Sequence, residues 1–404
     1  MTHMPIRSSA GHSSLAILAL MLTLAGCVAP TEPRVASRVE RASAPDAAAP
    51  ATAAPAAAAP AAMAPAAMAP AVMAPAAMAP DAAAPNAAAP ARAGSPAALP
   101  GWSSDDLAGL AGAIEAQCSL ARPPAPWPRL CPEFRAHRAN LRAWLEQRFR
   151  AQELAAGDGT SQGLITGYHE PEVPGSRARL AGSQVPLYRK PSQAVLRDRP
   201  TRAQIEGSAL LAGEELVWLD DPVEAFFLQV QGSGRVRLRE GGTMRVGYAA
   251  DNGQPYRAIG QVLIARGALA PADVDAGTIK AWLRANPREA RSVMHANPRY
   301  VFFRELPPAG ATTGPPGSLG VPLTPMRSVA VDPGRVPAGA LLYLDTTDPL
   351  AASPLRRVVV AQDTGAAIVG PVRADLFWGS GAHAELAAGR MKQRGRLWRL
   401  VPQD

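Results

Sequence analysis

The chain has 404 residues, a formal net charge of +8, 42 prolines and three cysteines. Three cysteines cannot staple a disulfide-rich scaffold, no CxxC or Cys/His spacing suits zinc or iron–sulfur, and the histidines are scattered, so neither metal nor cofactor is expected. The basic balance predicts attraction to polyanions rather than any particular fold.

At the N-terminus His3 and Arg7 precede an apolar run from Leu15 to Leu24 that ends in small residues and a cysteine. This reads as a secretory signal over residues 1–26, because the run of about a dozen residues is short of the about 20 that span a bilayer. Leu24-Ala25-Gly26-Cys27 resembles a bacterial lipobox, which makes Cys27 the lipidated anchor. Val28 in place of Asp resembles lipoproteins sorted to the outer membrane of Gram-negative bacteria, facing the periplasm. For such an exported chain the partners suited to its charge are cell-wall peptides, wall polymers or lipid headgroups, not nucleic acid.

From Ala42 to Pro100 the sequence is almost wholly Ala and Pro, with prolines at 45, 50, 55, 60, 65, 70, 75, 80, 85 and 90. A proline at every fifth position removes a helical hydrogen bond and blocks the preceding turn each time, so residues 27–100 read as anchor and semi-rigid spacer. Methionines at 63, 68, 73 and 78 follow the same period and fit a repeat expansion better than a metal array.

Residues 101–404 suffice for two domains. Ser103 or Ser104 is expected to cap a helix with Asp105 and Asp106 in its first turn, and Glu133 to Leu154 shows Phe134, Leu141, Trp144, Leu145 and Phe149 at helical spacing. Cys118 and Cys131 either close a short disulfide loop in an oxidising compartment or remain two buried thiols. After Gly163 short β-like runs dominate: Leu164 to Tyr168, Ala225 to Val230, Val236 to Leu238, Tyr300 to Phe303, Val329 to Val331, Ala340 to Leu344, Val358 to Ala361 and Leu397 to Val401. Tyr256 to Arg266 and Gly277 to Ala285 read as helices, so the fold class is mainly β with peripheral helices.

The densest chemical signal is Ala361-Gln362-Asp363-Thr364-Gly365-Ala366-Ala367-Ile368, directly after Val358 to Val360, with Asp375 following. A carboxylate leaving a buried strand into a turn of small residues can have its pKa raised enough to donate a proton near neutrality, with room for a bulky substrate. A turn-capping aspartate has the same appearance. Asp-Thr-Gly is also the aspartic-protease triplet, but Asp345-Thr346-Thr347 lacks the glycine that a second copy needs. No GxSxG elbow, P-loop or HExxH is present, and Gly232-Ser233-Gly234 lacks the context of a dinucleotide site.

Four stretches together resemble the membrane-bound lytic murein transglycosylase A family: Leu164 to Pro171 (LITGYHEP), Ala225 to Gly234 (AFFLQVQGSG), Asn297 to Glu305 (NPRYVFFRE), and Gly317 to Trp398 with Asp332, Asp363 and Asp375 as in the three-aspartate segment. The resemblance implies a double-psi β-barrel catalytic domain, residues 101–170 plus 302–404, carrying an inserted small β-barrel domain, 171–301, across a groove. It implies a non-hydrolytic exotransglycosylase that cleaves the bond between MurNAc and GlcNAc in peptidoglycan and leaves 1,6-anhydroMurNAc ends. Asp363 would be sole acid and base, where hydrolases generally need two carboxylates. Thr166 and Tyr168 match family residues near the groove; Gln229, Gln231 and Ser233 are candidates for sugar contacts; Asp332 and Asp375 tune Asp363 or hold the barrel's loops. His169 and Ala366 depart from the family pattern, which usually has an aromatic residue and a glycine there. The expected partners are peptidoglycan strands, the outer membrane through the anchor and wall-synthesis complexes, with the chain as a monomer. A peptidoglycan hydrolase and a non-catalytic glycan-binding lipoprotein are the alternatives.

Overall fold

The computed structural model describes residues 94–310 and 313–403, all within one compact unit, Asp81–Asp404. The signal, Cys27 and most of the spacer lie outside the described residues. The order of elements is α1 (Leu110–Cys118), α2 (Trp127–His137), α3 (Leu141–Arg148), β1 (Phe149–Glu153) and β2 (Gly163–Glu170). A middle section follows: β3 (Glu172–Ser176), β4 (Val185–Tyr188), α4 (Gln193–Asp198), α5 (Arg202–Glu206), β5 (Glu215–Leu219), α6 (Pro222–Gln231), β6 (Ser233–Leu238), β7 (Thr243–Asp251), α7 (Ile259–Ala265), α8 (Ala276–Ala285), α9 (Pro287–His295) and β8 (Val301–Leu306). The last section holds β9 (Ser328–Val331), β10 (Leu341–Thr347), β11 (Pro354–Thr364), β12 (Arg373–Ser380), α10 (Ala382–Arg390) and β13 (Lys392–Pro402).

β13, β10, β11, β9, β12 and β2 pair in that order, and β2 pairs back to β13, so six strands close on themselves with β1 attached outside β13. The β9–β11 and β12–β2 pairs are parallel. Both faces of this barrel are covered. Leu342, Leu344, Val359 and Ala361 point into its interior, while Leu341, Tyr343, Val358 and Val360 pack outward against Trp127, Phe134 and Trp144 of the N-terminal helices. Two-sided burial is why these strands read as continuous apolar runs.

The second sheet runs β4-β5-β3-β6-β7-β8, and a single bridge from Arg189 to Phe303 links its two edge strands. Phe302 to Glu305, expected to begin the second barrel piece, lie in β8, which pairs with β7. The chain therefore returns to the barrel after Leu306. Both crossings are pinned by buried charge. Arg235 of β6 donates to Glu170, the last residue of β2, at 2.8 Å and to Thr313 O at 2.9 Å, while Arg245 of β7 donates to Gly314 O at 2.9 Å.

Four other expectations are corrected. Ala225 to Val230 is helical, not extended: Asp221 caps α6 by accepting from Val223 N at 2.7 Å, Pro222 takes its first position, and Gly232 ends it at φ 79°. Its apolar residues fall on two sides because Ala225 and Leu228 pack on the sheet while Val223, Phe226 and Phe227 pack on α7–α9. The helix read over Glu133 to Leu154 breaks at the 3-10 turn Arg138–Asn140, and Phe149–Glu153 leaves it to pair with β13. The first helix starts at Leu110, after left-handed Gly109, so Asp105 and Asp106 precede it. Residues 94–100, read as spacer, lie against the domain: Gly94 bridges Ala151, and Tyr343 Oη donates to Pro100 O at 2.7 Å. Cys118 and Cys131 are joined as a disulfide.

Asp105 instead answers a buried cation. Arg327 is 0% exposed; it forms a two-pronged bond to Asp105 at 2.9 and 2.7 Å and donates to Ala108 O and Val358 O. Burial pushes the Asp105 carboxyl up, but Arg327 and the N–H groups of Val358 and Leu107 outweigh it and hold the pKa below its ordinary value. Replacing Asp105 by Ala leaves the buried guanidinium with only the exposed Asp106 carboxylate, at 2.9 Å, as an anionic partner, and chemical denaturation is expected to show a loss of about 3 kcal/mol. A midpoint within error of the parent would refute this role.

Candidate active site

Along β11 the side chains alternate between the interior and the outer helices until Ala361, which faces inward. Gln362 follows, 0% exposed; its Nε2 donates to Ala113 O at 2.7 Å and its Oε1 accepts from Ser328 Oγ at 2.6 Å. Strict alternation would then send Asp363 into the barrel. The ladder slips instead between Ala361 and Asp363, a bulge of the kind that re-aims a side chain at a rim.

The bulge delivers Asp363 to a groove of about 870 Å³ lined by both sheets. A loop lies over it at Gly317, where a Cβ would come within 2.4 Å of Gln362 O, so only glycine lets the backbone approach this closely. From that loop Ser318 N donates to Asp363 Oδ1 at 2.8 Å, and Thr364 N donates to the same oxygen at 2.9 Å. Oδ2 accepts from Tyr168 Oη at 2.9 Å. Burial raises the Asp363 pKa and outweighs these three donors, which favour the carboxylate. Tyr168, buried against the same charge, is held neutral far above its ordinary range.

The sequence singled out Thr166, Tyr168, Gln229, Gln231, Ser233, Asp363 and Asp375, and all of them line this one groove. Their roles in the fold differ. Thr166 Oγ1 donates to Asp375 Oδ1 at 2.7 Å, and burial raises the Asp375 pKa to about 6 against the opposing pull of Thr166 and Arg373, with the Asp363 charge adding to the rise. Gln229 Oε1 is occupied by Arg202 at 2.9 Å and Val301 N at 3.3 Å, and Gln231 Oε1 accepts from His169 N at 3.0 Å. Ser233 is buried at the start of β6. Asp332 does not line the groove; its oxygens accept from Gly334 N at 2.9 Å and Gly370 N at 2.7 Å, fastening two loops.

His169 turns away from the groove. Its ring nitrogens are buried without partners among the described residues, and burial lowers its pKa to about 4. Ala366 lines the groove without strain, because its φ is not positive. Ser318 escaped the sequence reading, since it acts through a backbone N–H that no residue type announces. Among the described residues no three His, Cys, Asp or Glu side chains are grouped to hold a metal ion, and no helix is long and apolar enough to cross a membrane.

Most of the described residues match known proteins. The MltA specific insert domain matches residues 164–304 and the 3D domain residues 327–401. Membrane-bound lytic murein transglycosylase A of Vibrio cholerae is 34% identical over 261 residues, 62% of this chain and 68% of that protein. Among solved structures, the lytic transglycosylase LtgG of Burkholderia pseudomallei is 47% identical, covering 79% of this chain and 97% of its own, with a TM-score of 0.56. Escherichia coli MltA with bound chitohexaose is 29% identical, covering 73% and 90%, with a TM-score of 0.64.

The two perturbed carboxyls predict a specific titration. Carboxyl ¹³C spectra are expected to show Asp375 ionising near pH 6, above the usual range of about 3.9. Removing the neighbouring charge in Asp363→Asn lowers that midpoint, because a like charge opposes ionisation. A midpoint near 4, or no movement, would contradict the described surroundings of Asp375.

Proposed function

The chain belongs to the membrane-bound lytic murein transglycosylase A family, and on that premise we propose that it cleaves the MurNAc–GlcNAc bond of peptidoglycan without water, with Asp363 as the single acid and base. The observation that carries this reading is a carboxyl of raised pKa, delivered by a strand bulge into a groove between two sheets. Asp363 in its protonated form gives its proton to the glycosidic oxygen as that bond breaks. The resulting carboxylate is stabilised by Ser318 N–H, Thr364 N–H and Tyr168 Oη, and takes the proton from the C6 hydroxyl of the same MurNAc as that oxygen closes on C1. The product carries a 1,6-anhydro ring. The nucleophile is tethered to the substrate, so no second carboxylate has to direct water.

Supporting roles follow from position. Tyr168 positions Asp363, and Thr166 ties Asp375 to the groove wall. Gln229 is held chiefly by Arg202 and Val301, leaving Gln231 and Ser233, both at the groove, as nearer candidates for sugar contacts. The domain division is proposed to follow the two sheets. The six-stranded ring with its two parallel pairs is the double-psi catalytic barrel, and residues 171–306 form the inserted domain with β8 included. The signal and Cys27 make the chain an outer-membrane lipoprotein whose Ala/Pro spacer carries the enzyme toward the wall. The relatives' description as membrane-bound supports an anchor of this kind.

One observation keeps a hydrolase in view: Asp375 is a second perturbed carboxyl lining the same groove. The products separate the readings. Digestion of purified peptidoglycan in H₂¹⁸O, followed by mass spectrometry, is expected to give anhydro-ended muropeptides without ¹⁸O. Reducing ends carrying ¹⁸O would establish a hydrolase, and binding without products a wall-binding lipoprotein.

A further inference from the structure

The groove around Asp363 is lined by four guanidinium groups, Arg202, Arg299, Arg304 and Arg373, against two carboxyls, Asp363 and Asp375. Two of the four cations are already answered, Arg202 by Glu206 at 2.9 Å and Arg299 by Asp251 at 2.8 Å. Arg304 and Arg373 have no carboxylate within ion-pairing distance among the described residues. Arg304, on β8, is exposed, and its Nε reaches only Tyr248 O at 3.4 Å. Arg373, on β12, is held by neutral oxygens: its Nη1 donates to Leu164 O at 3.2 Å, Thr166 Oγ1 at 3.0 Å and Ala374 O at 2.7 Å.

Those three bonds fix where the Arg373 guanidinium points but carry no charge to answer it, and burial opposes the cation more than the nearby Asp375 favours it, so its pKa falls below the ordinary value. A fixed, partly desolvated cation gains most when an anion arrives from outside. Arg304 faces the same groove from the other sheet. Cations supplied by both walls suit a ligand that carries negative groups beside its sugars.

We propose that Arg304 and Arg373 bind carboxylates of the substrate, so that the groove distinguishes peptidoglycan from neutral N-acetylglucosamine polymers; this rests on the reading of the groove as a glycan-strand site. The wall polymer offers that chemistry from two sources. One is the lactyl carboxylate of a MurNAc that has lost its peptide, and the other is the set of free carboxylates on an attached peptide stem. Chitohexaose has neither. Arg304 is the selectivity residue to test, because it contacts none of the groups around Asp363, whereas Arg373 is bonded to Thr166.

The test measures equilibrium binding by the full chain in detergent, carrying Asp363→Asn to stop turnover. The three probes are chitohexaose, a stem-free GlcNAc–MurNAc hexasaccharide and the same hexasaccharide bearing peptide stems. Adding Arg304→Gln is expected to weaken a carboxylate-bearing probe by about 10-fold, or ~1.4 kcal/mol, and to leave chitohexaose unchanged. Arg304→Lys restores part of the loss, since the charge returns without the planar fork. Loss with the stem-free glycan assigns the lactyl carboxylate, and loss confined to the stem-bearing glycan assigns the peptide. Equal loss for all three probes, or loss for none, overturns the proposal. Failure of the chain without the Arg304 change to bind any of the three would overturn the glycan reading beneath it.

Discussion

Asp363 reaches the groove because Gln362 is pinned out of register. Its amide is shared between Ala113 O of α1 and Ser328 Oγ at the start of β9, so it cannot slide along β11 without leaving buried polar atoms unpaired. Its carbonyl accepts from Leu319 N at 3.2 Å and lies under Gly317. One buried residue, through its side-chain amide and its backbone carbonyl, therefore holds three things in place: the outer helix, the parallel partner strand and the loop that supplies Ser318 N–H. Remove the bulge and the carboxyl points into a packed barrel interior, where neither sugar nor solvent can reach it.

A second constraint fixes what faces Asp363. The chain leaves the barrel at Glu170 and returns past Thr313 and Gly314, and Arg235 and Arg245 of the second sheet hold these points. Glu170, Arg235 and Arg245 are all buried, so breaking one of them strands the charge of the others. The second sheet can then present β6, β8 and the end of α6 to the groove at a set position. This geometry and the electrostatics of Asp363 act together. Burial between two walls raises the Asp363 pKa, and three fixed donors stop the rise before the carboxylate becomes inaccessible.

The sequence announced the strand and the turn around Asp363 clearly, because Val358 to Val360 are buried on both sides and Gly365 to Ala367 are small. It announced Tyr168 and Asp375 through family likeness rather than through pattern. The misread elements have local causes. Ala225 to Val230 is apolar except at Gln229 because two layers cover it, so periodicity could not tell helix from strand; Asp221-Pro222 before it was the signal that would have decided. Phe149 fits the helical spacing of Phe134 to Leu145, and only the free edge of β13 draws it into a strand. Asp105 looked like a first-turn acid because its partner, Arg327, lies 222 positions away. Ser318 was illegible for a different reason: its contribution is a backbone donor placed by Gly317.

One carboxyl, Asp363, is proposed to do both proton transfers while its neighbour Asp375 does neither. The direct measurement compares turnover of purified peptidoglycan by Asp363→Asn and Asp375→Asn against the parent, with folding of each variant checked by thermal unfolding. Asp363→Asn is predicted to lose about 10²–10⁴ in kcat, the contribution of a positioned acid and base, while Asp375→Asn still cleaves to anhydro ends. Equal loss in both folded variants would mean that the two carboxyls work as a pair, and undiminished turnover in Asp363→Asn would contradict the account outright.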